Sequence, residues 1–219
     1  MKEVIIIGAG GHAAEIDEYI NHAQKISGVR DILIKGFLDD CQDSYESYRF
    51  SAPYLGKLST HRIKAGQRYI IGIADPRFRK HFVDKFKSKG AEFVSFVHDS
   101  TYVSASAVIG EGTVIGPNAN IGPNVRVGKY NLINSRCSLG HDTVIGSFNI
   151  ICPNVCFSGF SKVGDENMFG MNSATIPEIS VGNRNKIVAG MVLDQSVGDD
   201  SCVFYRHKER VIAVPRLVG

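Results

Sequence analysis

The sequence predicts a small parallel α/β domain, residues 1–98, followed by a parallel β-helix, residues 99–219. Two observations carry this reading. The first 97 residues alternate short apolar strands with amphipathic helices, and the first strand ends in a glycine-rich turn. From Tyr102 an apolar residue then recurs at every sixth position in fifteen of sixteen consecutive units, a period that is neither helical nor a simple strand alternation.

The first element is "EVIIIGAGGHAAEIDEYINHA", an apolar strand, a glycine turn and a helical pattern. The run of four apolar residues is too short for a signal peptide and reads as a buried strand. Gly8, Gly10 and Gly11 allow a tight bend that bares backbone N–H groups, and the following helix presents its positive N-terminus to a phosphate. Residue 13 is alanine where a full GxGxxG has glycine, which keeps a dinucleotide reading open. The domain is only about half of a doubly wound sheet, so a mononucleotide or sugar nucleotide suits it better. "DILIKGFLDD" is a second strand ending in Asp39 and Asp40, either acceptors for a ribose or a uracil or a solvated strand end. "RYIIGIADPRFRKHFVDKFKSKG" is a third strand, a turn and a helix with Phe82, Val83 and Phe86 on one face. "AEFVSFV" is a fourth strand.

In the repeat, the apolar column runs Val103, Ile109, Ile115, Ile121, Val127, Ile133, Leu139, Ile145, Ile151, Phe157, Val163, Phe169, Thr175, Val181, Ile187 and Leu193, broken only by Thr175. Glycine often follows, where the turn requires φ > 0 or a close backbone approach. Small residues stand four positions after the apolar one, Cys137 among them, which assigns that thiol to packing. Three units make a triangular coil, and coils stack about 4.8 Å apart through parallel pairing. One unit departs from this scaffold. "SLGHDTVIG" sets His141 beside Asp142, an imidazole that titrates near neutrality next to a carboxylate able to fix its tautomer.

Composition narrows the function classes. With a formal charge of +3, a pI near 8.6 and no dense basic run, the chain lacks a nucleic-acid signature. It has no 18-residue apolar stretch to enter a membrane. Its five cysteines, at 41, 137, 152, 156 and 202, form no CxxC pair. Neither a disulfide framework nor a zinc site is indicated, and a reducing cytoplasm is the expected location. A zinc enzyme of the carbonic anhydrase type needs three histidine ligands, whereas residues 102–195 contain only His141. A non-catalytic nucleotide-binding scaffold remains as an alternative of another class, though it would have no need of His141.

The two halves in this order resemble the bacterial sugar O-/N-acyltransferases, which include sialic acid O-acetyltransferases and N-acetyltransferases of UDP-4-amino-4,6-dideoxy sugars. The matching residues are "GAGGHA" with His12, Asp39-Asp40, "IADPRFR" with Ala74, Asp75 and Arg79, Ile133-Asn134, "HDTVIG", and "VPRL" near the end. The resemblance implies a Rossmann-like first domain and a left-handed β-helix. It makes His141 the general base and Asp142 its orienting partner. It implies that Gly8, Gly10, Gly11, His12, Asp39, Asp40, Ala74, Asp75, Arg79 and Asn134 hold a nucleotide-linked amino sugar. It further implies a homotrimer with acetyl-CoA lying along the coils between neighbouring subunits, near Gly159, Ala189 and Gly190, and no metal. Arg184, Lys186, Arg206, Lys208 and Arg210 are placed to meet the CoA phosphates. The expected reaction is acetyl-CoA-dependent N-acetylation of an amino-deoxy sugar for glycan biosynthesis. O-acetylation of a sialic acid-type sugar is the alternative. Two departures stand out: the last strand, "CVFYRHKERVIAVP", is longer than usual, and Ile150 occupies the place of a second histidine found in some relatives. A single base tilts the expectation toward an amine, the stronger nucleophile.

Overall fold

A computed structural model describes residues 1–28 and 31–205. The first half contains β1 (Lys2–Ile7), α1 (Gly11–Ser27), β2 (Ile32–Leu38), α2 (Gln42–Glu46), β3 (Arg68–Ile71), α3 (Pro76–Lys87) and β4 (Glu92–Phe93). The sheet is parallel, in the order β2-β1-β3-β4. Val4, Ile5, Ile6 and Ile7 are all buried, as a central strand covered on both faces requires. Gly8 turns the chain out of β1 with φ +98, and a Cβ there would meet Gly72 and Ile73.

"AEFVSFV" is two strands rather than one. β4 closes the α/β sheet, and β5 (Phe96–Val97) pairs with Val114–Ile115 as the first rung of the β-helix. Only Val94 and Ser95 separate the two sheets, so the apolar run is continuous although its partners change.

From β5 onward the chain winds into a left-handed β-helix. Two-residue strands form three parallel faces of seven, six and five strands, beginning at Phe96, Tyr102 and Val108 respectively. Partners lie eighteen residues apart, as in Leu132↔Ile150, Ser138↔Cys156 and Val144↔Lys162, until the last pairing, Lys186↔Cys202. The second residue of each unit points inward and builds one continuous core. Thr175 is accommodated because its Oγ1 accepts the Ser158 N–H (3.0 Å) and bonds the Ser161 hydroxyl (2.8 Å).

The turn chemistry divides between two positions. The glycine after the apolar residue is needed for close approach: a Cβ on Gly128 would lie 2.5 Å from the Gly146 carbonyl oxygen. The left-handed conformation falls two residues later, at φ 56–66°, on Asn118, Asn124, Asp142, Phe160 and their equivalents. Asn and Asp tolerate that region; bulky residues pay a steric penalty.

The three corners differ in content. Between the five- and seven-stranded faces, Asn131, Asn149, Asn167 and Asn185 stack inside the coil. Asn131 and Asn149 each use Oδ1 to accept the backbone N–H of the asparagine above, while Nδ2 donates to a glycine carbonyl. The α/β domain covers the seven-stranded face, where Val114, Leu132 and Ile150 point outward yet are buried with Val4, Ile6, Ile16 and Phe37. α3 runs along the asparagine corner through Lys87–Glu111 and Lys80–Glu166 pairs (2.8 and 2.6 Å). α1 borders the corner between the seven- and six-stranded faces, where Tyr19 meets His98 edge-on. The third corner, between the two faces that no described helix covers, lies opposite the α/β domain.

Candidate active site

His141 and Asp142 sit on that third corner. In the neighbouring coils the place of His141 is taken by Pro123, Gly159 and Pro177, so one rung exchanges a turn residue for an imidazole. The imidazole lies across Gly159, where a Cβ would be 2.7 Å from both Cε1 and Nε2. Gly159 is therefore the residue that admits the ring. The Phe160 ring stands perpendicular to the imidazole, with centroids 5.1 Å apart.

Asp142 Oδ2 is 2.9 Å from His141 Nδ1, and Asp142 Oδ1 accepts from Asn124 Nδ2 at 3.0 Å. These bonds, the His141 contact first, hold the Asp142 carboxyl below its usual range. An ionised carboxylate only accepts, so Nδ1 carries the proton and Nε2 presents a lone pair. The His141 side chain is 58% exposed, which leaves that lone pair accessible. The arrangement can accept a proton from a group brought to the corner.

The residues expected around a nucleotide gather at the other side of the molecule. Gly10 begins α1 without a side-chain cap. Asp39 Oδ2 accepts the Ala9 N–H at 2.7 Å and Oδ1 accepts Cys41 N–H at 2.9 Å, so this carboxylate shapes the glycine turn. Asp40 Oδ1 accepts the Ser59 N–H. His12 Nδ1 faces Glu15 at 3.2 Å, while its Nε2 is buried without a hydrogen-bond partner among the described residues. Burial lowers the His12 pKa. Ala74 is exposed at the rim, and Asp75 caps α3 by accepting the Arg77 N–H.

The sequence pattern of the PglD N-terminal domain matches residues 3–86, and that of the bacterial transferase hexapeptide (six repeats) matches residues 95–129. The two patterns, in this order, are those the bacterial sugar acyltransferases join, and the chain is similar to them in both parts. Over 110 residues it is 29% identical to UDP-N-acetylbacillosamine N-acetyltransferase of Bacillus subtilis (strain 168), a match covering 49% of this chain and 48% of that protein. The match thus spans about half the length of that curated relative. The acetyltransferase domain of PglB from Neisseria gonorrhoeae FA1090, solved with acetyl coenzyme A, superposes with a TM-score of 0.79 at 23% identity, over 92% of this chain and 95% of that one. PerB from Caulobacter crescentus, solved with CoA and GDP-perosamine, gives 0.74 at 23% identity, over 92% and 93%. At these identities the likeness is one of fold.

Within this fold, one expected site residue, Arg79, falls elsewhere than at an open site. Arg79 is fully buried: Nε donates to the Tyr130 carbonyl (2.8 Å), Nη1 to those of Ile71 and Ile73, and Nη2 to that of Asn131. It joins the α/β domain to the β-helix and is out of reach of a ligand. Burial pushes its pKa down to about 9, and it stays charged at neutral pH. Asn134 folds its Oδ1 back onto the Ser135 N–H at 2.7 Å, on the α1 corner. Asp39 spends both oxygens on the turn. Ala189 and Gly190 lie on the α1 corner, where Gly190 has φ +75 and open space beside its Cα. Arg184 pairs with Asp200 on the asparagine corner, at 2.6 Å. Arg206, Lys208, Arg210 and "VPRL" lie outside the described residues. Cys137 is packed inside, with burial pushing its thiol up to about 12. No cluster of three or more His, Cys, Asp or Glu suited to a metal occurs among the described residues.

Two features escape the six-residue frame. The asparagine stack shows only when the chain is read at eighteen, where each Asn follows a glycine by three. Phe160 carries no motif and is found only by its contact with His141.

Proposed function

We propose that this protein is an acetyl-CoA-dependent N-acetyltransferase acting on the amino group of a nucleotide-linked amino-deoxy sugar, with His141 as general base. The observation that carries the reading is the His141 imidazole, with Nδ1 engaged by Asp142 and Nε2 turned to solvent on a hexapeptide-repeat corner. The named activities of the relatives point the same way.

In this reaction the sugar amine attacks the thioester carbonyl carbon while Nε2 takes one amine proton. The tetrahedral adduct collapses, the C–S bond breaks, and the CoA thiolate leaves and is protonated. Asp142 stabilises the imidazolium that forms. Gly159 and the Ala189–Gly190 turn would lie along the CoA chain, and the α1 N-terminus, His12 and Asp40 along the nucleotide.

The topology supports a homotrimer with a shared site. The α/β domain covers one face of the triangular coil, and His141 occupies the corner opposite it. A sugar held by the α/β domain of one subunit therefore needs the His141 corner of a neighbour, and closed cyclic symmetry supplies one. The test is thiol release from acetyl-CoA with UDP-, GDP- and dTDP-linked amino sugars and their matched hydroxy analogues. Amine-dependent release is expected. Higher kcat/KM for a hydroxy sugar or free sialic acid would replace this reading with O-acetylation.

A further inference from the structure

We propose that Phe160 is a positioning residue for His141, a wall that holds the imidazole on Asp142 with Nε2 facing outward. The proposal rests on the acyl-transfer reading above only for its kinetic consequence; the geometry stands without it.

Three aromatic residues occupy left-handed corner positions: Tyr130, Phe148 and Phe160, with φ 58, 60 and 61°. An aromatic side chain is unfavourable there, so each calls for a compensating contact. Tyr130 and Phe148 have one, because they stack on each other and pack with the α/β domain through Phe93 and Lys80. Within one subunit, Phe160 lies on the corner that no described element covers and is 51% exposed. Its ring contact is with His141.

The backbone beneath that ring is tightly fixed. The Phe160 N–H donates to the His141 carbonyl at 3.1 Å. On one side of the Gly159–Phe160 corner, the Ser158 N–H donates to Thr175 Oγ1 and the Ser158 hydroxyl to the Thr175 carbonyl. On the other side the Ser161 hydroxyl bonds Thr175 Oγ1 and the Ser158 carbonyl. The single break in the apolar column, Thr175, is thus the bracket that sets the corner carrying Phe160. The imidazole is bounded by the Gly159 backbone beneath, Phe160 at the side and Asp142 at Nδ1. Two of these bounds, Gly159 and Phe160, come from the next coil. On an exposed corner, water competes for the Asp142 bond, and an edge-to-face ring contact restricts the alternatives.

The test compares Phe160→Ala, Phe160→Leu and Phe160→Tyr with wild type. Nitrogen-15 NMR of the His141 ring above neutral pH reads the tautomer directly. Wild type and Phe160→Tyr are expected to hold Nδ1–H, and the Ala and Leu variants a mixture. In the acetyl-transfer assay kcat should fall about three- to tenfold for Ala and Leu with both KM values unchanged, and Phe160→Tyr should restore it. An unchanged tautomer ratio in folded Phe160→Ala and Phe160→Leu overturns the proposal. So does a change of oligomeric state, which would make Phe160 a subunit contact. If wild type transfers no acetyl group, the functional reading fails while the NMR result still decides this one.

Discussion

At the scale of single residues, the proposed base and its partner should make separable contributions. His141→Ala is expected to lower kcat by about 10²- to 10⁴-fold with acetyl-CoA still bound, as measured by turnover and calorimetry. Asp142→Asn should cost less, roughly tenfold, because an amide oxygen can still accept from Nδ1. Arg79 makes a different kind of prediction. Its guanidinium serves carbonyls from both halves of the molecule, so Arg79→Met strands several buried acceptors. The expected loss is about 3 kcal/mol or more in urea unfolding, with no selective change in either KM. Sequence comparison could place Arg79 beside Asp75 in a shared motif. It could not show that the arginine points inward, because that depends on the Tyr130–Asn131 corner, fifty residues away in sequence.

At the scale of elements, the β-helix was the legible part. Its core column has one residue in six facing inward, and that regularity survives in the sequence without knowledge of any partner. The α/β strands were legible as apolar runs, but "AEFVSFV" was not legible as two, since nothing in its composition tells which sheet each residue joins. The packing of α1 against the first coil was equally hidden, and it carries a pH dependence. His98 Nδ1 accepts from the Ser100 N–H and faces its hydroxyl, while Tyr19 and His22 border the ring and Glu18 and Asp99 lie nearby. Burial first, then His22, lowers the His98 pKa below its usual 6.5, against an opposing pull from Asp99. The unfolded chain therefore takes up the proton more readily. Stability is full above about 6.5 and declines as pH falls toward the folded value. His12 and His61 are lowered as well and act in the same sense. Melting temperatures recorded from pH 7.5 to 5 should fall less steeply for His98→Gln than for wild type.

At the scale of the whole molecule, the placement of the two proposed half-sites on opposite sides of the coil gives the sharpest prediction. His141→Ala and a bulky replacement of Gly11 should each be inactive alone. Unfolded together and reassembled at equal amounts, they should recover about a quarter of wild-type activity, since random trimers pair an intact base with an intact sugar site in that share of interfaces. No recovery, with mixed trimers seen by native mass spectrometry, would mean that each subunit works alone. The eighteen-residue register also bears on heredity. Losing six residues ahead of Leu132 would leave the apolar column in phase, and the core would not register the change. The histidine would nevertheless turn through one side of the triangle and emerge at another corner, and Leu132 and Ile150 would leave the face that carries the α/β domain. Only a whole coil can be gained or lost there while His141 keeps its corner. An insertion or deletion in this half of the gene therefore preserves the arrangement only in words of eighteen codons, although the core alone is spelled in words of six.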